Sequence, residues 1–111
     1  LYAFSRHAPV GIDVERARDD LPWARLAARY FAPEEAASID TSDAFFACWT
    51  RKEAVVKATG TGLSQPLRDV VAAPGWTVVE LRPQPGHWAA LAVAGPADVQ
   101  LWTWASVHSR R

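Results

Sequence analysis

The fold of this 111-residue chain is decided by the stretch WTRKEAVVK at residues 49–57. The stretch lies in a run of good helix formers without proline, and Gly60 and Gly62 follow as stop signals, so we predict a long helix over Ser42–Thr59. At about 100° per residue, the apolar side chains of this helix share one face. Lys52 falls near the middle of that face, where a lysine is costly to bury unless it reaches water or meets an anion. This lysine is the first indication of a site.

An alternating segment, VGIDVE at residues 10–15, precedes the helix and has the period of a β-strand. Asp13 and Glu15 are two residues apart, so both carboxylates project from one face of that strand. Each would raise the pKa of the other unless a cation lay between them. With Glu53 from the helix they would form an all-oxygen ligand set that suits magnesium, which completes its shell with water and phosphate oxygens. The lysines of the helix would then meet the phosphate.

Each of these residues also has a purely structural explanation. Asp13 and Glu15 would suit the solvated face of an edge strand, where charged residues prevent pairing with other strands. Glu53 and Lys57 are spaced as an ordinary ion pair one helical turn apart. Lys52 can extend its ammonium to solvent from the edge of the core. The functional interpretation depends on the occurrence of all these residues together with the glycine loop that follows them.

The two segments together resemble a known family. GIDVE at residues 11–15, paired with WTRKEAVVK at residues 49–57, is similar to the signature of the 4'-phosphopantetheinyl transferases, particularly the Sfp type, which are related to the holo-acyl-carrier-protein synthases. The sequence GTGLSQPL at residues 60–67 resembles the glycine-containing loop that follows the helix in those enzymes. Within that loop Gly60 is the expected helix cap, and Gly62 either allows close backbone approach to a phosphate or only turns the chain. Three ordered segments make the resemblance specific.

The resemblance implies an enzyme that transfers the 4'-phosphopantetheine group of coenzyme A to a serine of an apo acyl or peptidyl carrier protein, with magnesium as the metal cofactor. It implies that Asp13, Glu15 and Glu53 hold the magnesium against the pyrophosphate of coenzyme A. Glu53, through a water, is the candidate for the base that takes the serine proton. Lys57 would stabilise the charge on the transferred group. The residues implied to contact coenzyme A are Lys52, Lys57 and Gly62.

The remaining sequence predicts a single domain over residues 1–111, of the α+β class, with a small antiparallel sheet and the long helix packed across it. The links between the C-terminal segments are short and rich in turn residues, which favours hairpins because parallel strands need long crossovers. Two shorter helices are expected from Pro22 to Phe31 and from Ala32 to Ile39. Strands are expected at residues 1–5, 10–15, 70–73, 76–81, 87–93 and 99–105.

The composition excludes several functional classes. Twelve basic residues balance twelve acidic ones, so the chain lacks the basic footprint of a nucleic-acid-binding protein. A single cysteine excludes an internal disulfide and fits a reducing compartment. No apolar run approaches the roughly 20 residues of a membrane span, and the first residues do not resemble a signal peptide. We therefore expect a cytoplasmic protein with neither nucleic acid nor a membrane as partner.

The resemblance also bears on partners and completeness. Sfp-type enzymes consist of two similar halves with coenzyme A between them, whereas small members of the superfamily form trimers with sites between protomers. Because residues 1–9 resemble the strand before the motif in the two-half enzymes, we expect a second half in preference to a native trimer. A first-half domain, or the partners in a homotrimer, would complete its site. Arg25, Arg29 and Arg51 would help to dock an acidic carrier protein. The alternative function is a non-catalytic domain that keeps the fold and binds carrier proteins. A small domain that binds a nucleotide or a nucleic acid is the least favoured interpretation.

Overall fold

The computed structural model describes residues 2–60, 66–70 and 75–101. In chain order the elements are β1 (Val10–Arg16), α1 (Trp23–Tyr30), α2 (Pro33–Ser38), α3 (Ser42–Thr59), a 3₁₀ turn (Leu67–Asp69), β2 (Trp76–Leu81) and β3 (His87–Ala94). The predicted bounds of α3 and β2 are confirmed, and β1 and β3 each extend one residue beyond the prediction. Within the described ranges, none of the helices has the length and apolar character needed to cross a bilayer.

The three strands form an antiparallel sheet in the order β1–β3–β2, and α3 lies across β1 and β3. The predicted α+β architecture is therefore confirmed. In the register of β1 and β3, Gly11 lies opposite Ala92 and Asp13 opposite Ala90. Both alanines are fully buried and belong to the core cluster that includes Ala54 of α3. Small residues on both elements allow α3 to lie close to the sheet.

Both ends of α3 are fixed by contacts or conformations of neighbouring residues. Thr41 is extended, and its hydroxyl accepts a hydrogen bond from the amide of Ala44 at 3.0 Å, which satisfies one of the amides that a helix leaves unpaired at its start. Gly60 ends the helix with φ of 71°, a left-handed conformation that glycine adopts without a steric penalty. The length of α3 is thus fixed by local chemistry at each end.

An aromatic cluster joins α3 to α1 and α2. Phe31 and Phe45 are nearly fully buried, and their ring centroids lie 5.3 Å apart. Trp49 stacks on Phe45 at 5.8 Å and meets the ring of Tyr30 edge-on at 5.9 Å. These rings fix the position of α1 beside α3, because stacked and edge-on arrangements are the favourable geometries of aromatic pairs.

Several expected elements differ from the structure. Pro22 precedes α1 instead of opening it, and the helix ends at Tyr30, because Phe31 and Ala32 are extended before Pro33. The helix expected up to Ile39 ends one residue earlier. Residues 2–5 and 99–101 form no strand, and residue 70 follows a 3₁₀ turn instead of starting a strand. The other residues of the strands expected at 70–73 and 99–105, together with residue 1, lie outside the described ranges.

Candidate functional site

The site is created by direct contact between the backbones of β1 and α3. Gly11 faces α3, and a Cβ atom at this position would overlap the carbonyl oxygen of Ala54 and the amide nitrogen of Ala58. Strand and helix therefore approach more closely than any side chain at residue 11 would allow. Two residues further along the same face, Asp13 lies beneath the last turns of α3. This contact was predictable from the sequence, because a glycine inside a strand often marks the close approach of another backbone.

Asp13 is a buried carboxylate with only one satisfied oxygen. The residue is 3% exposed, and its Oδ1 accepts a hydrogen bond from Nζ of Lys57 at 2.6 Å. This bond is the largest cause of a raised pKa for Lys57, whose own side chain is half exposed. Oδ2 is buried and has no hydrogen-bond partner. A buried carboxylate oxygen without a donor is energetically unfavourable, so this atom is available to a cation.

Glu15 and Glu53 both experience the charge of Asp13. Burial raises the pKa of Glu15 most, and the Asp13 carboxylate raises it further, both by its charge and by accepting a hydrogen bond from the protonated form of Glu15. A hydrogen bond from Trp49 and the charge of Lys57 oppose that rise. Burial also raises the pKa of Glu53 most, and Asp13 adds to it. The hydrogen bond between Glu15 and Asp13 needs the proton of Glu15, so an ionised Glu15 leaves Oδ2 of Asp13 without a donor.

The structure thus brings together the carboxylates that the sequence nominated around Asp13, with Lys57 as the neighbouring cation. Their donor chemistry suits magnesium, since carboxylate oxygens are its usual protein ligands. Glu15 and Glu53 lie near enough to feel the charge of Asp13, but the three carboxylates do not converge on one point. Among residues 2–60, 66–70 and 75–101, no three acidic, histidine or cysteine side chains form a ready metal site. Glu15 and Glu53 would have to turn toward Oδ2 of Asp13 to share an ion.

A cavity of about 870 Å³ opens above these groups. Glu53 and Lys57 line it on the α3 side, and Tyr30 and Trp49 supply aromatic surface. It is also lined by two further cations, Arg29 and Arg68. This volume lies in the range of small-molecule and cofactor sites, which combine an apolar wall with a few charged groups. The cavity is large enough for a small-molecule ligand, and its cationic side chains suit an anionic group.

Lys52 is placed differently from the expectation. It is 3% exposed and absent from the lining of the cavity, and its ammonium lies 2.7 Å from Oε1 of Glu35. The same nitrogen donates to the carbonyl oxygens of Leu67 and Val70 at 2.8 and 2.9 Å. Of the two ways to bury this lysine that the sequence left open, the structure shows contact with an anion, and that anion is a protein carboxylate. Nothing in the local sequence around Glu35 signalled that pairing.

The remaining nominated residues are distributed over the surface. Gly62 lies outside the described residues, whereas Gly60 is both the cap of α3 and part of the cavity lining. Of the arginines suggested for docking, Arg29 lines the cavity and Arg51 lies 3.7 Å from Glu80 in an exposed ion pair. Arg25 is exposed on α1. These positions leave the docking assignment as a prediction.

Replacing Glu53 by glutamine is expected to stabilise the folded protein at neutral pH. The pKa of Glu53 is raised above its ordinary 4.5. An acid with a raised pKa binds more protons in the folded state, so stability falls as the pH rises from the ordinary value through the raised one, and the loss persists at neutral pH. Urea unfolding at about pH 7 should therefore give a higher free energy of unfolding for Glu53→Gln, and the difference should shrink toward about pH 4. Equal stabilities at both pH values would contradict this electrostatic description.

Comparison with known proteins agrees with the resemblance. A model of the 4'-phosphopantetheinyl transferase superfamily matches residues 9–106. The chain is 35% identical over 103 residues to the 4'-phosphopantetheinyl transferase HetI of Nostoc sp., an alignment that covers 78% of this chain and 44% of HetI. It is 34% identical over 65 residues to a 4'-phosphopantetheinyl transferase of Bacillus subtilis, covering 53% of this chain and 28% of that protein. The chain spans less than half the length of these curated relatives. Because the family model matches nearly the whole chain, the chain belongs to the 4'-phosphopantetheinyl transferase superfamily.

Proposed function

We propose that the protein containing this chain transfers the 4'-phosphopantetheine group of coenzyme A to a serine hydroxyl of an apo acyl or peptidyl carrier protein, in a magnesium-dependent reaction. The observation that carries the proposal is the pairing of a buried, half-satisfied Asp13 with Lys57, which lines a cavity together with Glu53. Family membership supports the reaction type. The named relatives support it as well, since both are called 4'-phosphopantetheinyl transferases.

The reaction forms one bond and breaks one bond at phosphorus. The serine oxygen attacks the phosphorus atom attached to pantetheine, the bond from that phosphorus to the bridging pyrophosphate oxygen breaks, and adenosine bisphosphate leaves. Charge neutralisation and alignment are the main requirements of such a transfer. Lys57 can neutralise charge on the phosphoryl oxygens, because its side chain lines the cavity and its anchor, Asp13, lies outside it.

The proton of the attacking serine needs an acceptor in the cavity. Glu53 lines the cavity, and a carboxylate there can take a proton from a bound hydroxyl group. We assign Glu53 the role of accepting the serine proton, directly or through a water. Asp13, Glu15 and Glu53 would hold the magnesium ion, which supplies neutralisation of the pyrophosphate when bound.

Carrier protein and coenzyme A would reach the site from the open side of the cavity. We propose that a first-half domain, or neighbouring copies in a homotrimer, complete the coenzyme A site. Tyr2 and Phe4, 87% and 93% exposed, lie in the segment before β1 and offer apolar surface to such a partner.

The test is conversion of an apo carrier protein, followed by intact mass, with coenzyme A and magnesium present. The wild-type protein should add the mass of one phosphopantetheine per carrier, and Glu53→Gln should slow this about a hundredfold, since a general base contributes at least that much. Glu80→Gln is the matched control, because Glu80 of β2 lies in an exposed ion pair with Arg51 of α3. Equal rates for Glu53→Gln and wild type would refute the assigned role, and retained carrier binding without any mass gain would favour the non-catalytic alternative.

A further inference from the structure

Lys52 holds three protein oxygens with one buried ammonium. Its Nζ lies 2.7 Å from Oε1 of Glu35, 2.8 Å from the carbonyl of Leu67 and 2.9 Å from the carbonyl of Val70. The ammonium also lies 5.7 Å from the ring centroid of Phe31. An ammonium has three N–H donors, so all of them are used by protein oxygens. Lys52 therefore has no free donor for a phosphate of a bound ligand.

Two of the three partners belong to the segment 66–70, which forms one wall of the cavity. Pro66, Leu67 and Arg68 all line the cavity. The internal hydrogen bonds of this segment, from the amides of residues 69 and 70, close only a single 3₁₀ turn. A turn of this kind does not determine where the segment lies relative to α3. The ammonium of Lys52 does so, because it binds carbonyl groups near both ends of the turn.

The same segment is connected to α1 on its other side. Nη2 of Arg68 donates to the carbonyl oxygen of Arg29 at 2.9 Å, and both arginines line the cavity. Val70 is 3% exposed and packs in the core between α3 and the sheet. Among the described residues, the wall is held by two hydrogen bonds from buried Lys52, by apolar packing of Leu67 and Val70, and by one exposed hydrogen bond. Both donors are charged, but only the Lys52 ammonium is buried, so its contacts are less weakened by water than the exposed hydrogen bond of Arg68.

We propose that Lys52 is a positioning residue that holds the segment 66–70 in place as a wall of the cavity and thereby sets the affinity for coenzyme A, without touching its phosphates. This inference rests on the proposed function only for the identity of the ligand. On α3 the roles are divided between neighbours in sequence: Glu53 faces the cavity, and Lys52 faces the interior and fixes the opposite wall.

A test needs a variant that loses the tether and still folds. Removing only Lys52 leaves Glu35 without its cation, and breaking one partner of a buried pair is strongly destabilising. The double variant Lys52→Met/Glu35→Gln removes both charges, and glutamine keeps an oxygen that can accept from the amide of Ala32, as Glu35 does at 3.0 Å. Arg18→Met is the control, because Arg18 forms only an exposed ion pair with Asp20.

Two measurements on the protein containing this chain decide the proposal. Hydrogen exchange of peptides covering residues 66–70 should become at least about tenfold faster in the double variant and stay unchanged in Arg18→Met. The KM for coenzyme A should rise about tenfold to a hundredfold with a smaller change in kcat, as expected when a wall is displaced by an ångström or less. The salt dependence of coenzyme A affinity should match wild type, because no phosphate contact is lost.

Opposite results separate the possible errors. Unchanged exchange at residues 66–70 would overturn the tether. Unchanged exchange together with a weaker salt dependence of coenzyme A affinity would show that Lys52 contacts a phosphate directly. Lys57→Met should show that weaker salt dependence, because Lys57 is assigned a phosphate contact. If exchange accelerates and KM stays at the wild-type value, the wall does not set affinity and the proposal is overturned on that point. If the wild-type protein fails to bind coenzyme A, the proposed function is wrong, and exchange alone still decides whether Lys52 holds the segment.

Discussion

Asp13→Asn should reduce the rate of phosphopantetheine transfer about a thousandfold, because one substitution removes both a metal ligand and the charged anchor of Lys57, and groups of this kind contribute about a hundredfold to a thousandfold each. Asp13 is 3% exposed, and its Oδ1 lies 2.6 Å from Nζ of Lys57. Asparagine has nearly the same shape and keeps an oxygen for Lys57, so the substitution removes charge more than contact.

The same variant should remain folded. Lys57 is half exposed, so its ion pair with Asp13 is partly screened by solvent. Loss of the Asp13 charge also relieves the repulsion that raises the pKa values of Glu15 and Glu53. The free energy of unfolding measured in urea should therefore change by no more than about 1 kcal/mol. Asp20→Asn, at an exposed aspartate, is the matched control for rate. A near wild-type transfer rate in Asp13→Asn would exclude Asp13 from the site.

Gly11→Ala should have the largest effect on stability, a loss of about 3 kcal/mol in the free energy of unfolding, the upper end of the usual range for overpacking. The new methyl group would meet the backbone of α3 at Ala54 and Ala58, and backbone atoms cannot move aside as a flexible side chain can. To accommodate the methyl group, α3 must shift away from β1. That shift would carry Glu53 and Lys57 away from Asp13, so transfer should fall along with stability.

Chemical denaturation and the transfer assay check this prediction together. Val14→Ala is the control on the same strand, because Val14 lies on the face opposite Gly11 across the pleat and is 39% exposed. Val14→Ala should lower the free energy of unfolding by about 1 kcal/mol or less, as expected for a partly exposed side chain. If Gly11→Ala unfolds at the same denaturant concentration as the wild type, the close approach of β1 and α3 is not required by the fold.

Local signals explain why the central elements were predictable from the sequence. Thr41 and Gly60 fix the ends of α3 by hydrogen bonding and backbone conformation, which depend on residues adjacent in the chain. The alternation in β1 reports which side chains share a face, and it correctly placed Asp13 and Glu15 on one face of the strand. A period that is visible in one short segment needs no knowledge of the rest of the fold.

The contacts that define the site were less predictable because they join distant residues. Lys52 was nominated for a phosphate from its position on an apolar face, yet its partners are Glu35, Leu67 and Val70, which no periodicity connects to it. The strand expected at residues 1–5 failed for a related reason. Tyr2 and Phe4 alternate as in a strand, but residues 2–5 have no partner strand in the described part of the chain, and a strand requires one.

The central claim is that Asp13, Glu15 and Glu53 share one divalent ion beneath the cavity. Manganese is the most direct probe, since it accepts the same oxygen ligands as magnesium and its binding is read by electron paramagnetic resonance. In the presence of coenzyme A, the wild-type protein should bind a single manganese ion per chain. Asp13→Asn should weaken that binding at least about tenfold, while Glu80→Gln should leave it unchanged. Manganese affinity that is identical in Asp13→Asn and the wild type would contradict the shared metal site.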